Sequence, residues 1–234
     1  METKVDKENR LEDVLKECPA NGTIVDSFVK AWSVINNPEN SKIVCSISGG
    51  ADSDLTIYIC KKVDKDCKID YMFFDTGLEY GATKDHLKKL EEKYGVSIIR
   101  YKAVKSIPTT CREYGQPFLS KRVSDMMQRL QKHNFQWEDE PFDVLYAKYP
   151  RCKSALQWWC DMNGSFLSIR NNKWLKEFIV RNPPTFKISS ACCDYAKKRV
   201  AHTAIKDNGY RLSINGVRKA EGGARKIMYK SCFT

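Results

Sequence analysis

The sequence predicts an α/β fold: a parallel sheet, with a helical lead-in before it and a helical insertion within it. Three observations carry this reading. Short apolar runs near 42–47, 69–74 and 97–101 alternate with helical patterns at 53–63 and 82–94, the rhythm of strands joined through crossover helices. The first run, Ile43-Val44-Cys45-Ser46-Ile47, leads straight into Ser48-Gly49-Gly50-Ala51-Asp52-Ser53, a glycine turn that opens a helix. The second run ends at Asp75-Thr76-Gly77. Parallel sheets bind ligands beyond the carboxyl ends of their strands, which is where both turns fall.

Taken in order, residues 7–39 place Leu11, Val14 and Leu15, then Ile24, Phe28, Trp32, Val34 and Ile35, at helical spacing. Two helices are expected there, so residues 1–40 read as a lead-in and 41–234 as the α/β domain. From about 105 to 185 the rhythm changes to long polar helices and aromatic loops, including 121–133 and the stretch around Trp158-Trp159, closed by Asn182-Pro183-Pro184. This is the predicted insertion. Its tryptophans and tyrosines between 135 and 160 fit either a surface that stacks nucleic-acid bases or a packed flap. A helix over about 191–207, stopped by Gly209, and a last strand at 210–215 complete the domain.

At 234 residues the chain is long enough to bury a sizeable core. Its 40 basic and 29 acidic side chains leave a formal charge of +11, which favours anionic ligands and attracts nucleic acid without selecting between them. No long apolar run and no apolar export signal stand in the sequence, so a cytoplasmic protein with no membrane partner is expected. Ten cysteines in such a chain argue for buried thiols or metal ligation rather than disulfides, because the cytosol keeps thiols reduced. Cys45 and Cys60 fall in core-facing runs; Cys152, Cys160, Cys192, Cys193 and Cys232 fall outside them.

The glycine turn has chemical meaning. Paired glycines let the backbone approach a ligand, Ser48 and Ser53 offer hydroxyls, and the following helix offers unpaired N–H groups to an anion. Neither the lysine of a Walker loop nor the G-x-G-x-x-G of a dinucleotide fold is present. The bland reading is a strand-to-helix turn in which Ser48 or Asp52 caps the helix. Arg218 and Arg225 read as a basic face or, from their place behind a strand, as a bidentate grip on a tetrahedral oxyanion.

These residues carry a resemblance. S-G-G-x-D-S after a strand resembles the PP-loop of the adenine nucleotide alpha-hydrolase-like superfamily. Asp75-Thr76-Gly77 with Tyr80 and Thr83 is similar to the D-T-G-x-x-[FY]-x-x-T stretch of the phosphoadenosine phosphosulfate (PAPS) reductase family, and His86 follows it. Gly115-Gln116-Pro117 with Ser120 and Lys121, and Gly216-Val217-Arg218 with Glu221 and Arg225, resemble that family's later G-x-P-x-x-S-K and G-x-R-x-x-E-x-x-x-R segments. The similarity runs from about residue 40 to 232. It implies the PP-loop fold and a nucleotide held by Ser48, Gly49, Gly50, Asp52, Ser53, Asp75, Thr76, Gly77, Ser120, Lys121, Gly216, Arg218 and Arg225.

The chain departs from the family in two places. Ala51 stands where the loop often has lysine, and the E-C-G-x-H segment that supplies the reductases' nucleophile is absent, so no catalytic residue is assigned. Family members generally continue through another segment near the active site; either this is a short member or such a segment is expected beyond it. The five late cysteines admit a 4Fe–4S cluster, a structural zinc or a lone reactive thiol. Cys192-Cys193 resembles the tandem pair of cluster-bearing adenylylsulfate reductases and of related DNA-phosphorothioation enzymes, with Cys152, Cys160 or Cys232 as further ligands.

The expected function is thus PAPS reductase-like: binding of PAPS, adenylyl sulfate (APS) or ATP, and attack at a sulfate or phosphate joined to adenosine, with thiol or iron–sulfur assistance and a thioredoxin-like reductant. One alternative is an ATP pyrophosphatase or sulfurtransferase that uses magnesium to modify tRNA or DNA. The other is a noncatalytic nucleotide-binding accessory protein.

Overall fold

The computed structural model describes residues 11–18, 20–162, 168–171 and 174–217. The chain divides into two compact units: residues to Lys102 together with those from Val200 onward, and Ala103–Arg199.

The first unit is built on a parallel sheet. Strands β1 (Ile43–Ser46), β2 (Ile69–Asp75), β3 (Ile98–Lys102) and β4 (Leu212–Asn215) lie in the order β3-β2-β1-β4. The register pairs Cys45 with Tyr71 on one side and with Ile214 on the other. Ile43, Val44 and Cys45 are each 0% exposed, because a parallel strand covered on both faces needs a continuous apolar run. Ile43 and Cys45 face a core with Ile57, Leu87 and Leu90. Val44 and Met72 face the opposite core with Ala204 and Tyr210.

Helix α1 (Gly22–Ile35) precedes the sheet, α2 (Ala51–Val63) joins β1 to β2, and α3 (Gly81–Tyr94) joins β2 to β3. The Asn21 side chain accepts the amides of Thr23 and Ile24 at 3.0 and 3.3 Å, satisfying donors that the first turn of α1 leaves unpaired. Phe28, Ala31, Trp32 and Ile35 line its buried stripe. With the helical stretch over 11–16, these are the two expected lead-in helices. Two boundaries differ from expectation and matter for the site. Helix α2 begins at Ala51 rather than 53, which puts Asp52 and Ser53 inside its first turn, and β2 runs one residue further, so Asp75 is its last residue.

The second unit is helical: α4 (Ile107–Tyr114), α5 (Lys121–Lys132), α6 (Phe142–Lys148), α7 (Lys153–Trp159) and α8 (Leu175–Arg181). Met126, Met127, Leu130, Leu145 and Leu156 form its core with the aromatic residues. Phe135 meets the rings of Trp137, Tyr149 and Trp159 edge-on at 5.7, 5.1 and 5.5 Å. Trp158 and Trp159 are 1% and 0% exposed, and the Trp159 indole N–H donates to the Glu138 carbonyl at 2.9 Å. The tryptophans of the 135–160 stretch are therefore a packed flap, closed to a stacking base. The helix expected over 191–207 is interrupted: one turn at Ala191–Cys193 and a π-helical turn at Asp194–Lys198 precede α9 (Arg199–Asn208).

Candidate nucleotide-binding site

In the order β3-β2-β1-β4, the chain leaves β1 toward β2 on one side while β4 lies on the other. The carboxyl end of β1 is thus the switch point, where open α/β sheets form a ligand crevice. The glycine loop stands there. The Ile47 amide still donates to the Met72 carbonyl at 2.8 Å; after it the chain turns, with Gly49 at φ +78°. Ser53 is 4% exposed. Its Oγ accepts the Ser48 amide at 2.8 Å and lies 3.0 Å from the Ser48 hydroxyl, so the helix's first turn holds the loop's first residue. The Gly50 carbonyl takes the amides of Ser53 and Asp54 at 3.0 and 3.1 Å. No side chain caps α2, and the amides of Gly49, Gly50 and Ala51 form no hydrogen bond within the described residues. Open donors at a helix N-terminus, two of them on glycines, are an anion cradle.

Two close approaches explain the glycines. A Cβ at Gly49 would sit 3.1 Å from Thr83 Cγ2 on α3, in addition to the positive φ. At Gly216 it would sit 2.6 Å from Thr56 Oγ1 and 3.1 Å from the Asp52 carbonyl. The chain leaving β4 therefore crosses the first turn of α2, beside the loop. The structure thus gathers Ser48, Gly49, Gly50, Asp52, Ser53 and Gly216 around one helix end. Arg218 and Arg225 lie outside the described residues.

The second turn is built differently. Glu79, which sequence reasoning did not single out, folds its carboxylate back into the turn. It accepts the amides of Thr76, Gly77 and Leu78 at 2.9, 3.1 and 3.2 Å and the Thr76 hydroxyl at 2.7 Å. Thr76 is 3% exposed. Asp75 Oδ1 accepts the Gly77 amide at 3.0 Å, and Asp75 Oδ2 pairs with the Lys84 ammonium at 3.4 Å. The Gly77 amide, the neighbouring Glu79 carboxyl and Lys84 hold Asp75 below the usual carboxylate range. Leu78 and Tyr80 flank Glu79 and are 56% and 81% exposed.

The remaining candidates belong to the second unit. Ser120 is the N-cap of α5, its hydroxyl accepting the Val123 amide at 3.3 Å. Burial and the adjacent Lys198 lower the Lys121 ammonium, against the pull of Cys193 and Asp194. Lys198 pairs with Asp194 at 3.2 Å. Burial pushes the Cys192 thiol up, helped by Cys193 and by Cys111 on α4, a neighbour that no spacing pattern joins to the pair. Cys152 and Cys160 are engaged elsewhere, donating to the carbonyls of Tyr149 and Glu140 at 3.4 and 3.9 Å. Among the described residues no three His, Cys, Asp or Glu side chains gather as a metal-holding group, so these residues do not by themselves supply the four thiolates of a 4Fe–4S cluster. Cys232 lies outside them.

The family model for the phosphoadenosine phosphosulfate reductase domain matches residues 42–140. The uncharacterized protein MJ0066 of Methanocaldococcus jannaschii is 35% identical over 103 residues, which is 42% of this chain and 21% of that protein. The uncharacterized protein MJ0973 of the same organism is 34% identical over 73 residues, 31% of this chain and 17% of that protein. The match thus spans about a fifth of the length of these curated relatives. No solved structure matches the chain. The glycine loop, the second turn and strands β1–β3 all fall within residues 42–140, the stretch that is similar to the phosphoadenosine phosphosulfate reductase domain, a family of the PP-loop superfamily.

Proposed function

We propose that the chain is a PAPS reductase-like PP-loop enzyme. It binds an adenine nucleotide or sulfonucleotide at the carboxyl end of β1 and acts on the phosphate or sulfate joined to adenosine. The observation that carries this is the set of unclaimed amides on Gly49, Gly50 and Ala51 at the switch point of the sheet. Donors already fixed in place stabilise charge that develops on a departing phosphate or sulfate without reorganising during the reaction. Ser53 keeps them aimed by anchoring Ser48, and the missing side chain at Gly49 lets an oxyanion approach the backbone. Where the family loop often carries lysine this chain has Ala51, so further neutralisation falls to other cations, among which Arg218, Arg225 and Lys121 are the sequence's candidates.

Calorimetric titration of the full chain with AMP, ATP and PAPS tests the reading, alongside Gly49→Leu. Binding of at least one of them, lost in a Gly49→Leu protein that still melts cooperatively, supports it. Equal binding by the variant overturns it. Products then define the chemistry: sulfite released in the presence of a dithiol reductant marks sulfonucleotide reduction, magnesium-dependent pyrophosphate release marks ATP cleavage, and binding without turnover marks an accessory protein.

A further inference from the structure

The site as read above leaves open which adenosine compound it takes, and the second turn bears on that. Neighbouring strands lie about 4.8 Å apart, so the end of β2 is the next position along the crevice from a phosphate held at the end of β1. In nucleotide folds whose first strands share this order, a carboxylate at the end of the second strand accepts from a ribose hydroxyl, whereas a ribose phosphate there calls for an arginine. Asp75 is the last residue of β2. What the turn offers a ligand follows from its hydrogen bonds. The amides of Thr76, Gly77 and Leu78 all point at Glu79, so these three donors are closed to an oxyanion. Lys84 is committed to Asp75 Oδ2 at 3.4 Å. The other nearby cation, Lys102, is the register partner of Asp75 on β3, the side away from β1. The side chains that close the turn, Asp75 and Glu79, bring acceptors and negative charge to the end of β2. A phosphate on the ribose beside Asp75 would meet two carboxylates, with the amides of Thr76, Gly77 and Leu78 already claimed, a like-charge contact that costs several kcal/mol when desolvated.

Resting on the nucleotide reading above, we propose that Asp75, held in place by the Glu79-closed turn, accepts hydrogen bonds from the ribose hydroxyls and excludes a ribose 3′-phosphate. The ligand is then an adenosine 5′-nucleotide with free ribose hydroxyls. APS and ATP belong to that class and PAPS does not.

The test is calorimetric titration of the full chain, in magnesium-free buffer, with AMP, 3′-phosphoadenosine 5′-phosphate and 3′-deoxyadenosine 5′-monophosphate. AMP is expected to bind tighter than the 3′-phosphorylated compound by about tenfold or more, and tighter than the deoxy analogue as well. In Asp75→Asn, which keeps the oxygen that accepts the Gly77 amide, both gaps shrink. Equal or tighter binding of the 3′-phosphorylated compound overturns the inference while leaving the nucleotide site standing, as does an Asp75→Asn protein with both gaps unchanged. Failure of all three compounds to bind overturns the nucleotide reading itself, and this inference with it.

Discussion

The turns after β1 and β2 occupy equivalent positions at the carboxyl edge of the sheet, and each has a glycine with positive φ, Gly49 at 78° and Gly77 at 86°. They differ in what becomes of their amides. After β1 the amides of Gly49, Gly50 and Ala51 are left open, because Ser53 is short and reaches only the Ser48 amide. After β2 a longer side chain, Glu79, reaches back and fills the concavity with its own carboxylate. Two turns of similar backbone thus have opposite electrostatic sense: one leaves its donors open, the other carries a carboxylate. A glycine turn at a strand end is therefore not in itself a phosphate site; the acceptor inventory of the following residues decides.

The contrast can be broken most directly at Glu79. Glu79→Ala removes an acceptor shared by three amides and a buried hydroxyl and is expected to destabilise the chain by about 2 kcal/mol, read from the midpoint of urea unfolding. Glu79→Gln recovers part of the loss, and millimolar sulfate protects the alanine variant more than the parent, because its emptied turn now resembles the first. No loss of stability in Glu79→Ala would refute the closed-turn picture. Next in size is Gly49→Ala, which forces a side chain into left-handed backbone at a cost of about 1–2 kcal/mol and presses on Thr83. Nucleotide affinity falls along with stability, and a variant that binds normally would show that the first turn is not the cradle.

Ser53→Ala sharpens the comparison from the other side. Removing the acceptor of the Ser48 amide costs about 1 kcal/mol, and weaker nucleotide binding accompanies it. The smallest effect belongs to Asp75. Its folded pKa is depressed, so the stability it contributes is fully present above its unfolded value of about 3.9 and is lost as pH falls through the lower folded value. With its side chain 27% exposed, that contribution is below about 1 kcal/mol. Urea midpoints measured down the acid limb should therefore fall less steeply for Asp75→Asn than for the parent.

Much of this arrangement follows from local patterns. The apolar runs ending at Ile47 and Phe74, each trailed by a glycine turn and a helix, specify strands of a parallel sheet because crossover connections leave little alternative. That Ser48, Gly49, Gly50 and Ser53 form one turn is legible for the same reason: their partners lie within a few residues. Glu79 was missed since a lone glutamate between Leu78 and Tyr80 reads as a solvated charge, and only the curl of the turn brings its carboxylate onto three amides. The motif picks out Gly216, but the reason for a glycine there, the approach of the Thr56 hydroxyl and the Asp52 carbonyl, depends on which strand pairs with β1. Cys111 is separated from Cys192 by most of the helical unit, and no spacing rule joins them. The aromatic residues at 135–160 were ambiguous because ring content alone does not distinguish a stacking surface from a core; the burial of Trp158 and Trp159 does.

The contact between Gly49 and Thr83 has a consequence for protein engineering. The curvature of the first turn is supported by a methyl group contributed from the crossover after next, so the six-residue cassette is not portable. Grafted alone onto another strand–helix junction, it would arrive without its backing. A transplant that carries the chain from β1 through Thr83 brings its own support and is the smallest insert expected to keep the cradle's shape.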